Sequence, residues 1–262
     1  DMTSLELTDA IFSDNYAEYE NGGAIYVSKC TEIIIDGSTF NNNYTLNSYW
    51  GGAIYATDCD QVDIELTAFT GNGHTMIAAV DTITTAVGGA IYGENSGIAI
   101  MSGTFSDNSC NSAEGKGDSI AVGNSALLLQ NCNFTTNSST AYEVYVDVGA
   151  VDIYGSFIDS AAMSYISVAG NLSSDNRTSH ADYLVVTTNT DTVDYTDGDI
   201  SLREALFYAR SGETIAFDSS LAGSSIAVAY DGGDSNSDIN AFYINKSVSI
   251  DGDADGDNAD DI

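Results

Sequence analysis

Apolar residues recur along the first two-thirds of the chain in a long, regular cycle. Short stretches such as Val62, Ile64 and Leu66 alternate with a period of two, which predicts strands with one inward-facing set of side chains. Seven residues after the first aliphatic of each stretch (Leu5, Ile33, Val62, Ile98, Leu127) stands a phenylalanine, followed three residues later by an asparagine. The pairs are Phe12/Asn15, Phe40/Asn43, Phe69/Asn72, Phe105/Asn108 and Phe134/Asn137. Each unit then runs into a Gly-Gly-Ala-Ile-Tyr segment at Gly22–Tyr26, Gly51–Tyr55 and Gly88–Tyr92, with a worn copy at Gly117-Asp118-Ser119-Ile120. Successive phenylalanines are 28, 29, 36 and 29 residues apart, so one unit is about 29 residues and the third carries a longer loop. A sixth, shorter unit runs through Val151, Ile153 and Phe157.

One such unit cannot bury its own apolar face, so the units must cover one another. The expectation is an all-β, right-handed parallel β-helix of about six rungs over residues 1–170, with three short strands per rung. Equivalent residues then lie above one another at roughly 4.8 Å. Phenylalanine stacks on phenylalanine inside, and the asparagine amides form a ladder at a turn. The Gly-Gly pair suits a turn that needs positive φ or close backbone approach. The repeated Ile of that segment should point in and the tyrosines Tyr26, Tyr55 and Tyr92 out, as a binding stripe or as packing beneath a loop.

F-x-x-N combined with G-G-A-I resembles the repeats of the chlamydial polymorphic outer membrane proteins, which also occur in other bacterial surface proteins and autotransporter passengers. The resemblance covers roughly residues 5–126, with weaker rungs to about 170. It implies a β-helical, secreted or surface-displayed and often adhesive passenger, and it carries no catalytic residues.

The rung pattern stops near Gly170, and 171–182 reads as a polar linker or long loop. Within 183–262, Ile200, Leu202, Ala205, Leu206 and Ala209 fall at helical spacing, and Ser201 precedes Glu204 by three residues as in a capping box. Short strands are expected around Thr214–Phe217, Ser225–Ala229, Phe242–Ile244 and Val248–Ile250. The run Ser201-Leu202-Arg203-Glu204-Ala205-Leu206 resembles the CSLREA region of large β-helical surface proteins, with Ile200 in place of the usual leading Cys. That resemblance implies a short helix near 200–210 capping the start of a second β-helical segment, which breaks off at Ile262. The chain also opens in mid-repeat, so a leader before Asp1 is expected to have been removed.

Charge narrows the function classes. With 39 acidic and 6 basic residues the net charge is -33, which repels nucleic acid and anionic membranes. No apolar run is long enough to span a bilayer. The sharpest acidic feature is Asp251-Gly252-Asp253-Ala254-Asp255-Gly256-Asp257, followed by Asp260 and Asp261. Alternating carboxylates with Gly in sixth place match the opening of a calcium loop, for which Asp251, Asp253, Asp255, Asp257 and Asp261 are the candidate ligands. The bidentate acid expected at the twelfth place is missing, because Ile262 stands there. The competing reading is a solvated acidic turn.

Cys30 and Cys59 each follow the motif Tyr by four residues and should stack one rung apart, as a disulfide or as a ladder of small thiols. His74 and His180 fit no metal-ligand spacing and read as surface residues. The minor alternative is a polysaccharide lyase or hydrolase, which would need a carboxylate cluster with a basic residue or His on one face, and the rung sequences show no such set. The leading expectation is a non-catalytic extracellular adhesin or stalk segment, with neighbouring surface-protein segments, host protein or glycan as partners. The alternative is a subunit of an extracellular filament or sheath that joins other copies of itself by strand addition.

Overall fold

The computed structural model describes residues 3–46, 49–75, 87–110, 116–135, 142–154, 156–158, 166–168, 171–174, 180–193, 197–209, 211–226, 228, 242, 244, 246–254, 256 and 262. They fall into two units, Asp1–Ser173 and Ser174–Ile262.

The first unit is a parallel β-helix. Its longest sheet stacks Ser4–Thr8, Glu32–Asp36, Gln61–Glu65, Gly97–Met101, Ser125–Gln130, Gly149–Tyr154 and Asn171–Ser174 in that order. A second sheet stacks the phenylalanine strands Ile11–Ser13, Thr39–Asn41, Ala68–Thr70, Thr104–Ser106, Asn133–Thr135 and Phe157–Ile158. Another stacks Ile25–Ser28, Ile54–Thr57, Ile91–Glu94, Ile120–Gly123, Val144–Val146 and Ile166–Val168. Register is kept from rung to rung: Ile33 faces Val62, Phe40 faces Phe69, and Ile54 faces Ile91.

Two expectations are corrected. Rungs one to three have four strand positions rather than three, because Tyr16–Ala17, Tyr44–Leu46 and Gly73–Thr75 form a further small sheet after the asparagine. Strands this short carry no readable alternation. Asn171–Ser174 is the last strand of the longest sheet rather than the start of a linker, and His180–Leu184 is a 3-10 turn.

The corners explain the composition. A residue in the left-handed region stands at each of four columns: Asp9, Gly37, Leu66, Ser102, Asn131; Asp14, Asn42, Gly71, Asp107; Gly22, Gly51, Gly88, Gly117; and Lys29, Asp58, Asn95, Asn124. Asp, Asn and Gly tolerate this backbone best, which is why short polar residues punctuate every rung. In the Gly-Gly pair the two glycines have separate reasons. Gly51 supplies φ +66, whereas a Cβ on Gly52 would lie 2.1 Å from the Gly89 carbonyl oxygen and 2.5 Å from the Gly73 nitrogen.

Inside, Phe12, Phe40, Phe69, Phe105 and Phe134 form one column of parallel rings with centroids 4.8, 5.0, 5.0 and 4.7 Å apart. Phe40, Phe69, Phe105 and Phe134 are fully buried, a gain of roughly 2–3 kcal/mol each before entropy. Ile54, Ile91 and Ile120 point inward as expected.

The adjacent corner carries the amide ladder. Nδ2 of Asn15, Asn43 and Asn72 donates to Oδ1 of the next asparagine at 2.8, 3.0 and 3.0 Å. The same Oδ1 atoms accept the backbone N–H of the preceding asparagine. The second Nδ2 proton of Asn43, Asn72 and Asn108 goes to the carbonyl of Phe12, Phe40 and Phe69. Each interior member of the ladder is therefore satisfied, as a buried amide must be. Asn137 lies outside the described residues.

The second unit has its own core of Tyr183, Val186, Ile200, Ala205, Leu206, Tyr208, Ile215 and Phe217. Three short parallel strands, Val185–Val186, Thr214–Phe217 and Ser249–Ile250, stack in sequence order. The described part of Ser225–Ala229 is not a strand. The helix spans Leu202–Tyr208 and starts with the expected reciprocal capping box between Ser201 and Glu204. At its other end Lys246 Nζ donates to the carbonyls of Phe207 and Ala209, tying down groups that a helix terminus leaves unpaired. No helix among the described residues is long and apolar enough to cross a membrane.

Candidate functional site

The surface of the β-helix is a set of side-chain columns, so a site arises where a column is interrupted. On the corner outside the asparagine ladder the left-handed column reads Asp14, Asn42, Gly71, Asp107. Beside it, the paired positions of the small sheet read Tyr16, Tyr44, Gly73, and a bridge continues them to Ser109. Both columns thus drop to glycine in the third rung. The result is a cleft of about 300 Å³, walled by Asn42 and Tyr44 on one side and Asp107 and Ser109 on the other. The Tyr44 ring stacks on Tyr16 at 5.5 Å and 12°, which fixes its plane.

His74 lies behind this cleft and corrects the surface reading. It pairs with Thr45, which is inward and buried, and is itself only 5% exposed. Burial lowers its pKa to about 4, so the ring is neutral at neutral pH. Its Nδ1 is 3.9 Å from Cys110 Sγ, while its Nε2 is buried without a hydrogen-bond partner. Burial, reinforced by the Asp118 carboxylate, pushes the Cys110 thiol well above its ordinary range. A nucleophile–base pair needs the opposite shifts, a thiolate beside a protonatable imidazole. Repetition gave no hint of this contact, because Thr45, His74 and Cys110 share no residue type.

Cys30 and Cys59 do stack one rung apart, and both are free, buried thiols in the structure. Their Sγ atoms donate to the carbonyls of Glu32 and Thr57. The same corner continues into Ser96 and Ser125, whose hydroxyls accept the backbone N–H of Cys59 and Ser96. The cysteines are therefore members of a column of small polar side chains. Asp118, in the worn motif copy, occupies the place of the second glycine. Its carboxylate accepts the Cys110 backbone N–H at 2.9 Å.

The tyrosine stripe divides. Tyr26 is 54% exposed, whereas Tyr55 and Tyr92 are buried at 5% and 8%. Trp50 covers them, with its ring 6.4 Å from Tyr55 and 5.0 Å from Tyr92. Burial and the neighbouring Glu94 carboxylate raise the Tyr92 phenol to about 12. Further along, Lys116 donates to the Tyr145 hydroxyl and stands 4.6 Å from its own partner's ring centre.

In the second unit Arg203 makes a two-pronged ion pair with Asp191, at 2.8 and 2.6 Å, and lies 4.9 Å from the Phe242 ring centre. The resemblance to a capping helix named Arg203 without this role, because its partner sits in an irregular loop. In the acidic loop, Asp251 and Asp253 Oδ1 accept the backbone N–H of Asp253 and Gly256. The other proposed ligands Asp255, Asp257 and Asp261 lie outside the described residues. Among the described residues no group of three His, Cys, Asp or Glu side chains is placed to hold a metal.

No curated protein and no solved structure gives a significant match to the chain. The family model of the Chlamydia polymorphic membrane protein repeat matches residues 9–28 and 37–57. Each match begins at the first left-handed corner of a rung and ends with the Ile-Tyr strand, Ile25–Ser28 or Ile54–Thr57. The first two rungs are thus similar to the Chlamydia polymorphic membrane protein repeat.

Proposed function

We propose that the chain is a non-catalytic segment of a cell-surface protein, a stalk or adhesin in which the solenoid supplies reach and its outer columns supply contacts. The observation that carries this reading is the commitment to the stack of the described groups in the rungs best suited to nucleophilic or acid–base chemistry. The asparagine amides, all four cysteines, His74 and Asp118 are spent on backbone partners or burial. The repeat of a membrane protein family in the first two rungs supports display at a cell surface. A net charge of -33 keeps such a stalk soluble and away from polyanions.

Antibody labelling of intact and permeabilised source cells tests the location, and sedimentation of the purified chain tests its state. The proposal expects labelling of intact cells and a monomer. Labelling only after permeabilisation contradicts surface display, and concentration-dependent filaments would favour the assembly alternative. Release of new reducing ends or unsaturated products from a polysaccharide panel would contradict the absence of catalysis.

A further inference from the structure

We propose that the third-rung cleft binds one ring of an uncharged or amino-substituted glycan, stacked on Tyr44. This deepens the adhesive reading above and rests on it. One face of the Tyr44 ring is occupied by Tyr16 at 5.5 Å. The other face looks along the solenoid axis toward the third rung, where the column position is Gly73. A flat ring placed there continues the aromatic column by one step, at the spacing the column already has.

The chemistry of the rim selects the ligand. Tyr44 offers an apolar face for the C–H side of a pyranose, and its neighbours are acceptors and donors suited to hydroxyls: Asn42, Asp107 and Ser109. A cleft of about 300 Å³ is at the small end of ligand sites and suits one or two sugar rings. The carboxylates Asp14 and Asp107 on the rim, in a chain of net charge -33, disfavour uronate or sialylated polymers. They accept hydrogen bonds from neutral hydroxyls or from a hexosamine ammonium.

The chain itself cannot fill the cleft from Gly73, since a Cβ there would lie 2.4 Å from the Ser109 carbonyl oxygen. Gly71 is different. Its φ of +64 is one that Asn adopts, and the atom its Cβ would meet is the Asn42 side-chain oxygen. Gly71→Asn therefore restores the column and blocks the cleft without moving backbone.

The test is titration of the purified chain with neutral hexose and hexosamine trisaccharides, with trigalacturonate as the anionic control, read by saturation-transfer NMR and calorimetry. The expected result is saturable binding of a neutral or amino trisaccharide, weakened at least tenfold by both Tyr44→Ala and Gly71→Asn, with the unfolding midpoint of Gly71→Asn unchanged. No binding by any neutral or amino trisaccharide, or equal binding by both variants, overturns the cleft assignment. Trigalacturonate binding as tightly as the neutral sugars overturns the charge argument. Each of these failures leaves surface display untouched, because cell labelling tests that separately.

Discussion

At the scale of single residues the solenoid is held by columns, and a column member is judged by its neighbours above and below. His74 is the clearest case. Its unperturbed value of 6.5 falls to about 4 because the charged form is denied water. The folded state therefore binds fewer protons than the unfolded state between those values. Stability is fully present above 6.5 and is lost as pH falls towards 4, by roughly 3 kcal/mol. Urea unfolding of the parent chain and of His74→Thr, a change to the residue at the paired position Thr45, measures this. The parent should lose about 3 kcal/mol more than the variant between pH 7 and pH 4, and parallel pH profiles would show the ring to be solvated. Nothing in the sequence announced this burial. The phenylalanine and asparagine columns were legible because one residue type recurs at the rung period, whereas Thr45, His74 and Cys110 share a column by geometry alone.

At the scale of elements, the Gly-Gly-Ala-Ile-Tyr segment shows how far a motif can be read. Two conformational needs were legible in the sequence, and the structure assigns one to each glycine: left-handed φ at Gly51 and close chain approach at Gly52. Gly52→Ala places a Cβ against the backbone of Gly73 and Gly89 in the adjoining rung, which cannot swing aside. It should cost about 3 kcal/mol. Fluorescence of Trp50, the single tryptophan, provides the unfolding signal. An effect under about 1 kcal/mol would mean the strands are not this close. Other features of these elements depended on residues that do not repeat. Trp50 turns two of three motif tyrosines from surface to core, and Asp118 stands where the other rungs have glycine. The short strands after Asn15, Asn43 and Asn72 escape a sequence reading because two or three residues show no alternation. In the second unit, the Ser201–Glu204 box was readable because it is local, whereas the Asp191–Arg203 ion pair spans an irregular loop.

At the scale of the whole first unit, parallel register makes distance depend on rung number and hardly at all on sequence separation. Glu6, Ile34, Asp63, Ala99, Leu128 and Asp152 are successive partners in the longest sheet. The separation from Glu6 to Asp152 is five strand spacings, roughly 24 Å between Cα atoms. The cleft in the third rung and the reach proposed for a stalk both rest on this one regularity. The measurement that tests it most directly is the dipolar distance between spin labels on Glu6→Cys and Asp152→Cys, the four native thiols being buried. A narrow distribution about one label length wide, centred near 24 Å, is the predicted result. A broad distribution, or a centre displaced by two rungs or more, would contradict the in-register stack on which the rest depends.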